Sequence, residues 1–111
     1  AARYALKLRE AVKVPMVESE LTSTWAQYTI CLSHRDTVQL ALKHNGVPTA
    51  IYYRQPLHLQ TAYRKFPRAP GGLDKSEKLS QTVLSLPMHA YLEHEDQDYV
   101  INCLLNALNR V

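Results

Sequence analysis

The chain is 111 residues long, with 46% hydrophobic and 21% charged residues. This is the size and composition of one globular domain, and it excludes a disordered tail. A formal net charge of +3, from 13 basic and 10 acidic residues, is too mild to argue for nucleic acid. No stretch holds the roughly 18 consecutive apolar residues that a membrane span needs, and the N-terminus lacks the basic-then-apolar layout of a signal peptide.

Ala1 to Val12 places apolar residues at Tyr4, Ala5, Leu8, Ala11 and Val12, which is helical spacing. No cap residue and no initiating Met precede it, so the start reads as a cut edge of something longer. Pro15 ends the helix at or before Val14. Thr22 to Leu32 is rich in Thr, Trp, Tyr and Ile and reads as a strand. Trp25, Gln27, Thr29 and Cys31 fall on one side, and Ala26, Tyr28, Ile30 and Leu32 on the other. The second side is the more apolar and is expected to face the core. Ser33, with Asp36 three residues on, reads as a cap and first-turn acid for a helix over 34–44. Val38, Ala41 and Leu42 form its buried stripe, and Asn45-Gly46 tolerates the left-handed backbone of a helix end.

After Pro48, Thr49 to Tyr53 reads as a short strand. Gln55 to Gln60 resists assignment, since Pro56 forbids a central strand. Thr61 to Phe66 suits a turn or two of helix, and Pro67 to Gly72 a mobile loop. Asp74 to Val83 reads as a helix capped by Asp74, with Glu77 three on and Leu79 and Val83 sharing a face. Leu84 to Met88 is a short apolar segment broken by Pro87. The last helix spans 93–109, with Tyr99, Val100, Cys103, Leu104, Ala107 and Leu108 at helical spacing. The acids Glu93, Glu95, Asp96 and Asp98 suit its N-terminus, where unpaired N–H groups face outward, so they need no metal. The expected fold is α+β: a small, mostly antiparallel sheet of about three strands covered by helices, in a single domain over 1–111.

Candidate chemistry is sparse. The five histidines show no metal-ligand spacing supported by carboxylates. Cys31 and Cys103 read as reduced core thiols of an intracellular protein. With three glycines in all, a backbone phosphate cradle is nearly excluded. The run Tyr52-Tyr53-Arg54-Gln55-Pro56-Leu57-His58-Leu59-Gln60 is the exception. It sets phenols, a guanidinium, an amide and an imidazole at the C-terminal end of a strand. Such groups hydrogen-bond sugar hydroxyls or phosphate oxygens. A Pro-stiffened strand exit without function accounts for the same residues. The basic stretch from Arg54 to Lys78, with Tyr52, Tyr53, Tyr63 and Phe66, is also compatible with RNA stacking, for which only weak, salt-erased binding is expected.

The segments Val47-Pro48-Thr49-Ala50-Ile51-Tyr52-Tyr53 and Pro56-Leu57-His58-Leu59-Gln60, with Ala62-Tyr63, resemble the C-terminal domain of the DegT/DnrJ/EryC1/StrS sugar aminotransferases. Trp25-Ala26-Gln27-Tyr28-Thr29-Ile30, Glu77-Lys78-Leu79-Ser80, Val83 through His89 and Tyr91-Leu92 resemble the same family in the same order. The resemblance implies the small domain of a fold-type-I enzyme, cytoplasmic and homodimeric. Such enzymes hold pyridoxal 5'-phosphate on a lysine of a large N-terminal domain. They pass an amino group, usually from glutamate, to a nucleotide-linked keto sugar in polysaccharide or secondary-metabolite synthesis. It assigns no catalytic residue and no cofactor to this chain by itself. It puts His58, and with it Tyr53, at the substrate mouth, and Trp25 and Gln27 at the large-domain interface. Ser85 to His89 reads as a structural segment docking under the last helix. Arg54 departs from the family's Tyr-Tyr-Pro-x-Pro pattern. Its cation either grips a sugar carboxylate or diphosphate or reaches solvent. The contrasting reading is a free-standing ligand-binding or regulatory module.

Overall fold

A computed structural model describes all residues 1–111. Four α-helices surround a two-stranded antiparallel sheet. Helix α1 (Ala2–Leu8) buries Tyr4 and Leu8, one turn apart on one face. It stops short of Val12, and the chain bends so that Lys13 forms a single bridge with Cys31. Strand β1 (Tyr28–Cys31) pairs with β2 (Val83–Leu86), Tyr28 opposite Leu86 and Cys31 opposite Val83. Thr29 and Ser85 face each other across the ladder, their hydroxyl oxygens 2.8 Å apart.

The sheet differs from the expectation in ways with local causes. Thr22 to Gln27 does not join β1. Trp25 takes a left-handed backbone, φ 52°, which breaks the alternation. Its ring turns onto Tyr28, 5.6 Å between centroids, while Ala26, expected inside, is exposed. Tyr28, Ile30 and Leu32 are buried as their alternation requires. The expected strand at Thr49 to Tyr53 shrinks to one bridge, Ala50 with Ser85. In that register the next pair one way is Pro48 with Pro87, and neither has an N–H to give. The other way lies Val83. Its N–H is donated to the carbonyl of Leu79, and its carbonyl accepts Arg35 Nη1. The ladder therefore has nothing to extend with.

Helix α2 (Arg35–His44) buries Val38 and Leu42. Ser33 does not cap it: the N-cap is His34, left-handed at φ 52°, with no side-chain cap bond. Gly46 follows the helix at φ 71°, where a side chain would be strained. Helix α3 (Asp74–Thr82) runs straight into β2. Asp74 is its first residue rather than its cap, which is Leu73. Val83 begins the strand, and Leu79 is exposed, so Ser80 is the buried residue of α3. Helix α4 (His94–Leu108) follows the expected boundaries closely and buries Val100, Ile101, Leu104 and Ala107 against α2 and α1. The Arg3–Asp98 ion pair ties α1 to α4, and the Tyr99 hydroxyl donates to the Asn45 carbonyl at the end of α2. Tyr4, Leu8, Tyr28, Ile30, Val38, Leu42, Leu84 and Leu104 form the centre of the core. The Tyr4 hydroxyl donates to the carbonyl of Pro87 at 3.0 Å. The segment after β2 is thus tied to the first helix through this bond. No helix is long and apolar enough to cross a membrane.

Candidate functional site

Past Ala50, the chain leaves the sheet and forms a long surface loop. Pro56 sets the extended entry to a single 3₁₀ turn at Leu57–Leu59. Further turns close at Tyr63 and Phe66, whose N–H groups donate to the carbonyls of Gln60 and Tyr63. The loop is stitched internally by Gln55 and Arg64, whose side chains both donate to the carbonyl of Leu59. Between this loop and α3 lies an open groove of about 1050 Å³. Tyr53, His58, Tyr63 and Phe66 line it from the loop side, and Leu79, Ser80 and Val83 from α3 and β2.

His58 is the one imidazole lining this groove. Its side chain is only 12% exposed, and its Nε2 lies 2.9 Å from Glu77 Oε1. An ionised carboxylate only accepts, so Nε2 carries a proton toward Glu77, and in the neutral imidazole Nδ1 is then the acceptor. Tyr53 is 75% exposed and meets Tyr52 edge to face at 5.8 Å. With Leu57 and Phe66, also exposed, it makes an apolar rim. The groove therefore offers one oriented imidazole among aromatic and aliphatic faces, the common make-up of a small-molecule site.

Arg54 lies outside this groove, over a separate depression shared with Asp36, Gln39, Lys43 and Thr49. Its Nη1 donates to Asp36 Oδ1 at 2.9 Å and its Nη2 to Gln39 Oε1 at 3.0 Å. The same Asp36 oxygen accepts Arg35 Nε at 2.8 Å. Arg54 first, then Arg35, holds the Asp36 carboxyl below its ordinary range. Arg35 is 4% exposed, and its Nη1 donates to the carbonyls of Ser80 and Val83, both at 3.1 Å. A buried guanidinium thus satisfies carbonyls at the end of α3 that the helix itself leaves open.

The structure therefore brings His58 and Tyr53 together and sets Arg54 apart from them. Trp25 packs against the core while Gln27 stands exposed before β1, so the two do not share a strand face. Sequence reasoning missed Glu77, Asp36, Gln39 and Arg35. Glu77 and Asp36 each had a sufficient local role as first-turn acids, and nothing in their spacing points to partners 19 and 18 residues away.

Comparison with known proteins agrees with this architecture. The model of the DegT/DnrJ/EryC1/StrS aminotransferase family matches residues 1–105. The chain is 36% identical over 107 residues to the UDP-2-acetamido-2-deoxy-3-oxo-D-glucuronate aminotransferase of Pseudomonas aeruginosa, covering 96% of this chain and 29% of that protein. A crystal structure of a DegT DnrJ EryC1 StrS aminotransferase from Brucella abortus superposes with TM-score 0.92 at 47% identity, over 95% of this chain and 28% of that one. The S. venezuelae protein DesV, solved in complex with a ketimine intermediate, superposes with TM-score 0.91 at 28% identity, over 99% and 30%. The chain thus spans less than a third of the length of these relatives. Over that span, sequence and fold agree: the chain belongs to the DegT/DnrJ/EryC1/StrS aminotransferase family.

Proposed function

We propose that this chain is the substrate-shaping part of a pyridoxal-phosphate-dependent enzyme that transfers an amino group, from glutamate, to a nucleotide-linked keto sugar. The relatives that support this reading are named as aminotransferases of UDP- and dTDP-linked sugars. The observation that carries it is the His58–Glu77 pair set in an aromatic groove. Proton-bearing Nε2 is held by Glu77, so Nδ1 is oriented to accept from a sugar hydroxyl. Tyr53 and the apolar rim offer flat faces to a sugar ring or a base.

The residues present do not fit the cofactor itself. A Schiff base needs a lysine amine. Lys7, Lys13, Lys43, Lys65, Lys75 and Lys78 are all exposed, and none lines the groove. We assign the cofactor lysine to polypeptide beyond this chain, and with it the homodimer contacts and the cytoplasmic setting of a biosynthetic enzyme. Gln27, exposed, and the edge of Trp25 are placed toward that polypeptide.

The test is His58→Ala in the enzyme that contains this domain. The KM for the nucleotide sugar is expected to rise about tenfold, matching the loss of one oriented hydrogen bond. An unchanged KM overturns the assignment of His58. A reducible cofactor adduct on the 111-residue chain alone overturns the division of roles.

A further inference from the structure

We propose that Arg54 is a positioning residue: it clamps the loop that carries Tyr53 and His58 to α2, and so sets the shape of the groove without touching its occupant. This rests on the nucleotide-sugar reading of the groove. The loop between Tyr52 and Phe66 is tied to the helices by two side-chain bridges. One is His58 to Glu77 on α3. The other is Arg54, which reaches Asp36 and Gln39 on α2 with its two terminal nitrogens. Those acceptors are three residues apart and so lie on the same helix face. A guanidinium fork spans both at once, whereas a lysine ammonium is a single point of charge.

The second bridge does not end on α2. Asp36 Oδ1 is shared with Arg35 Nε, and Arg35 is fixed in turn on the carbonyls of Ser80 and Val83. Ser80 lies on the same helix as Glu77, and its hydroxyl donates to the Glu77 carbonyl at 2.7 Å. Both bridges therefore lead to the same element, α3 and its exit into β2. Arg54 follows Tyr53 directly in the chain, so the place where its side chain is held constrains the backbone that carries the Tyr53 ring. Both Arg54 and Asp36 are more than half exposed. The clamp adds little to global stability at such exposure, so its effect falls on loop geometry, and its loss leaves a folded domain to be measured.

The experiment compares wild type, Arg54→Ala and Arg54→Lys in the enzyme that contains this domain. Two readouts are taken: backbone amide exchange across residues 52–60 without substrate, and the KM values for nucleotide sugar and amino donor. Exchange in the loop is expected to quicken in both variants, with exchange in α4 unchanged. The KM for the nucleotide sugar is expected to rise about tenfold or more, as misplacement of a binding group does, with the amino-donor KM unchanged. Lysine is expected to rescue less than half of the loss. Unchanged exchange with a raised sugar KM overturns the clamp and makes Arg54 a direct contact. Quickened exchange with an unchanged sugar KM overturns its bearing on the groove. A wild-type enzyme inactive on nucleotide sugars refutes the proposed function instead, and exchange still decides whether the clamp exists.

Discussion

Two tyrosines at the centre of the core are expected to respond in opposite ways to the same substitution. Tyr4 and Tyr28 are both 0% exposed, with ring centroids 4.9 Å apart. The Tyr4 hydroxyl donates to the Pro87 carbonyl, whereas the Tyr28 hydroxyl is buried without a partner. Tyr4→Phe removes a hydrogen bond worth about 1 kcal/mol net and leaves a half-buried carbonyl short of a donor, for a total loss of about 1–2 kcal/mol. Tyr28→Phe removes an oxygen that lost its water on folding and gained nothing in return. The relief is about 1–3 kcal/mol, reduced by about 1 kcal/mol for the small void left behind. The net change is therefore zero to about 2 kcal/mol in favour of the folded state. Urea unfolding of the two variants decides the matter, provided the m-values match wild type. If Tyr28→Phe destabilises as much as Tyr4→Phe, the Tyr28 hydroxyl is satisfied and the reasoning is refuted.

Alkaline pH should weaken the same core. Burial pushes the Tyr4 phenol up from 10.0 to about 12, with a smaller contribution from Tyr28, and burial also raises Tyr28. Below pH 10 native and unfolded chains both keep these protons. As pH climbs from 10 toward 12 the unfolded chain releases protons that the native one retains, so stability falls across that window. A Tyr4→Phe variant should show a shallower decline in alkaline urea titrations, and an equal slope counts against the burial argument. Arg35→Met keeps the side-chain volume but strips donors from the carbonyls of Ser80 and Val83. The expected loss is about 2–3 kcal/mol, from unsatisfied acceptors less the relief of a desolvated charge. An unchanged urea midpoint would show that water replaces the guanidinium.

Those features differ in how far the sequence discloses them. Tyr4 with Leu8, Val38 with Leu42 and Val100 with Leu104 declare themselves by helical spacing, because burying one stripe is what selects a helix face. Tyr28, Ile30 and Leu32 declare a strand face in the same way. The failures lie where a distant residue takes over a backbone or side-chain group. Val83 looked like the end of a helix face, yet its backbone turns extended and its carbonyl is taken by Arg35, 48 residues away. Thr49 to Tyr53 has strand composition, yet its ladder is stopped by Pro48 opposite Pro87, a pairing that exists only once the register is set. In the groove, His58 was legible through a family resemblance, while Glu77 was not, since an acid in the first turn of a helix already has a reason to be there.

On the proposed nucleotide-sugar reading, the groove divides its work between fixed and yielding parts. His58 is 12% exposed and fixed by Glu77, so its direction is set before any ligand arrives, and little ordering cost remains to be met on binding. Tyr53 and Phe66 are mostly exposed, each with one aromatic neighbour from the same loop, Tyr52 and Tyr63. An exposed aromatic face accepts rings of different size, because stacking demands contact area more than exact geometry. Specificity for the placement of a hydroxyl should therefore track the His58–Glu77 pair, and tolerance of different sugars or bases should track the rim. Substituting Glu77→Gln tests this separation: an amide can still contact the imidazole but no longer selects its tautomer. The expected result is weaker discrimination between epimers of the sugar with nearly equal affinity for the shared nucleotide. Equal loss for both would mean that the pair supports the loop as a whole and does not read the sugar.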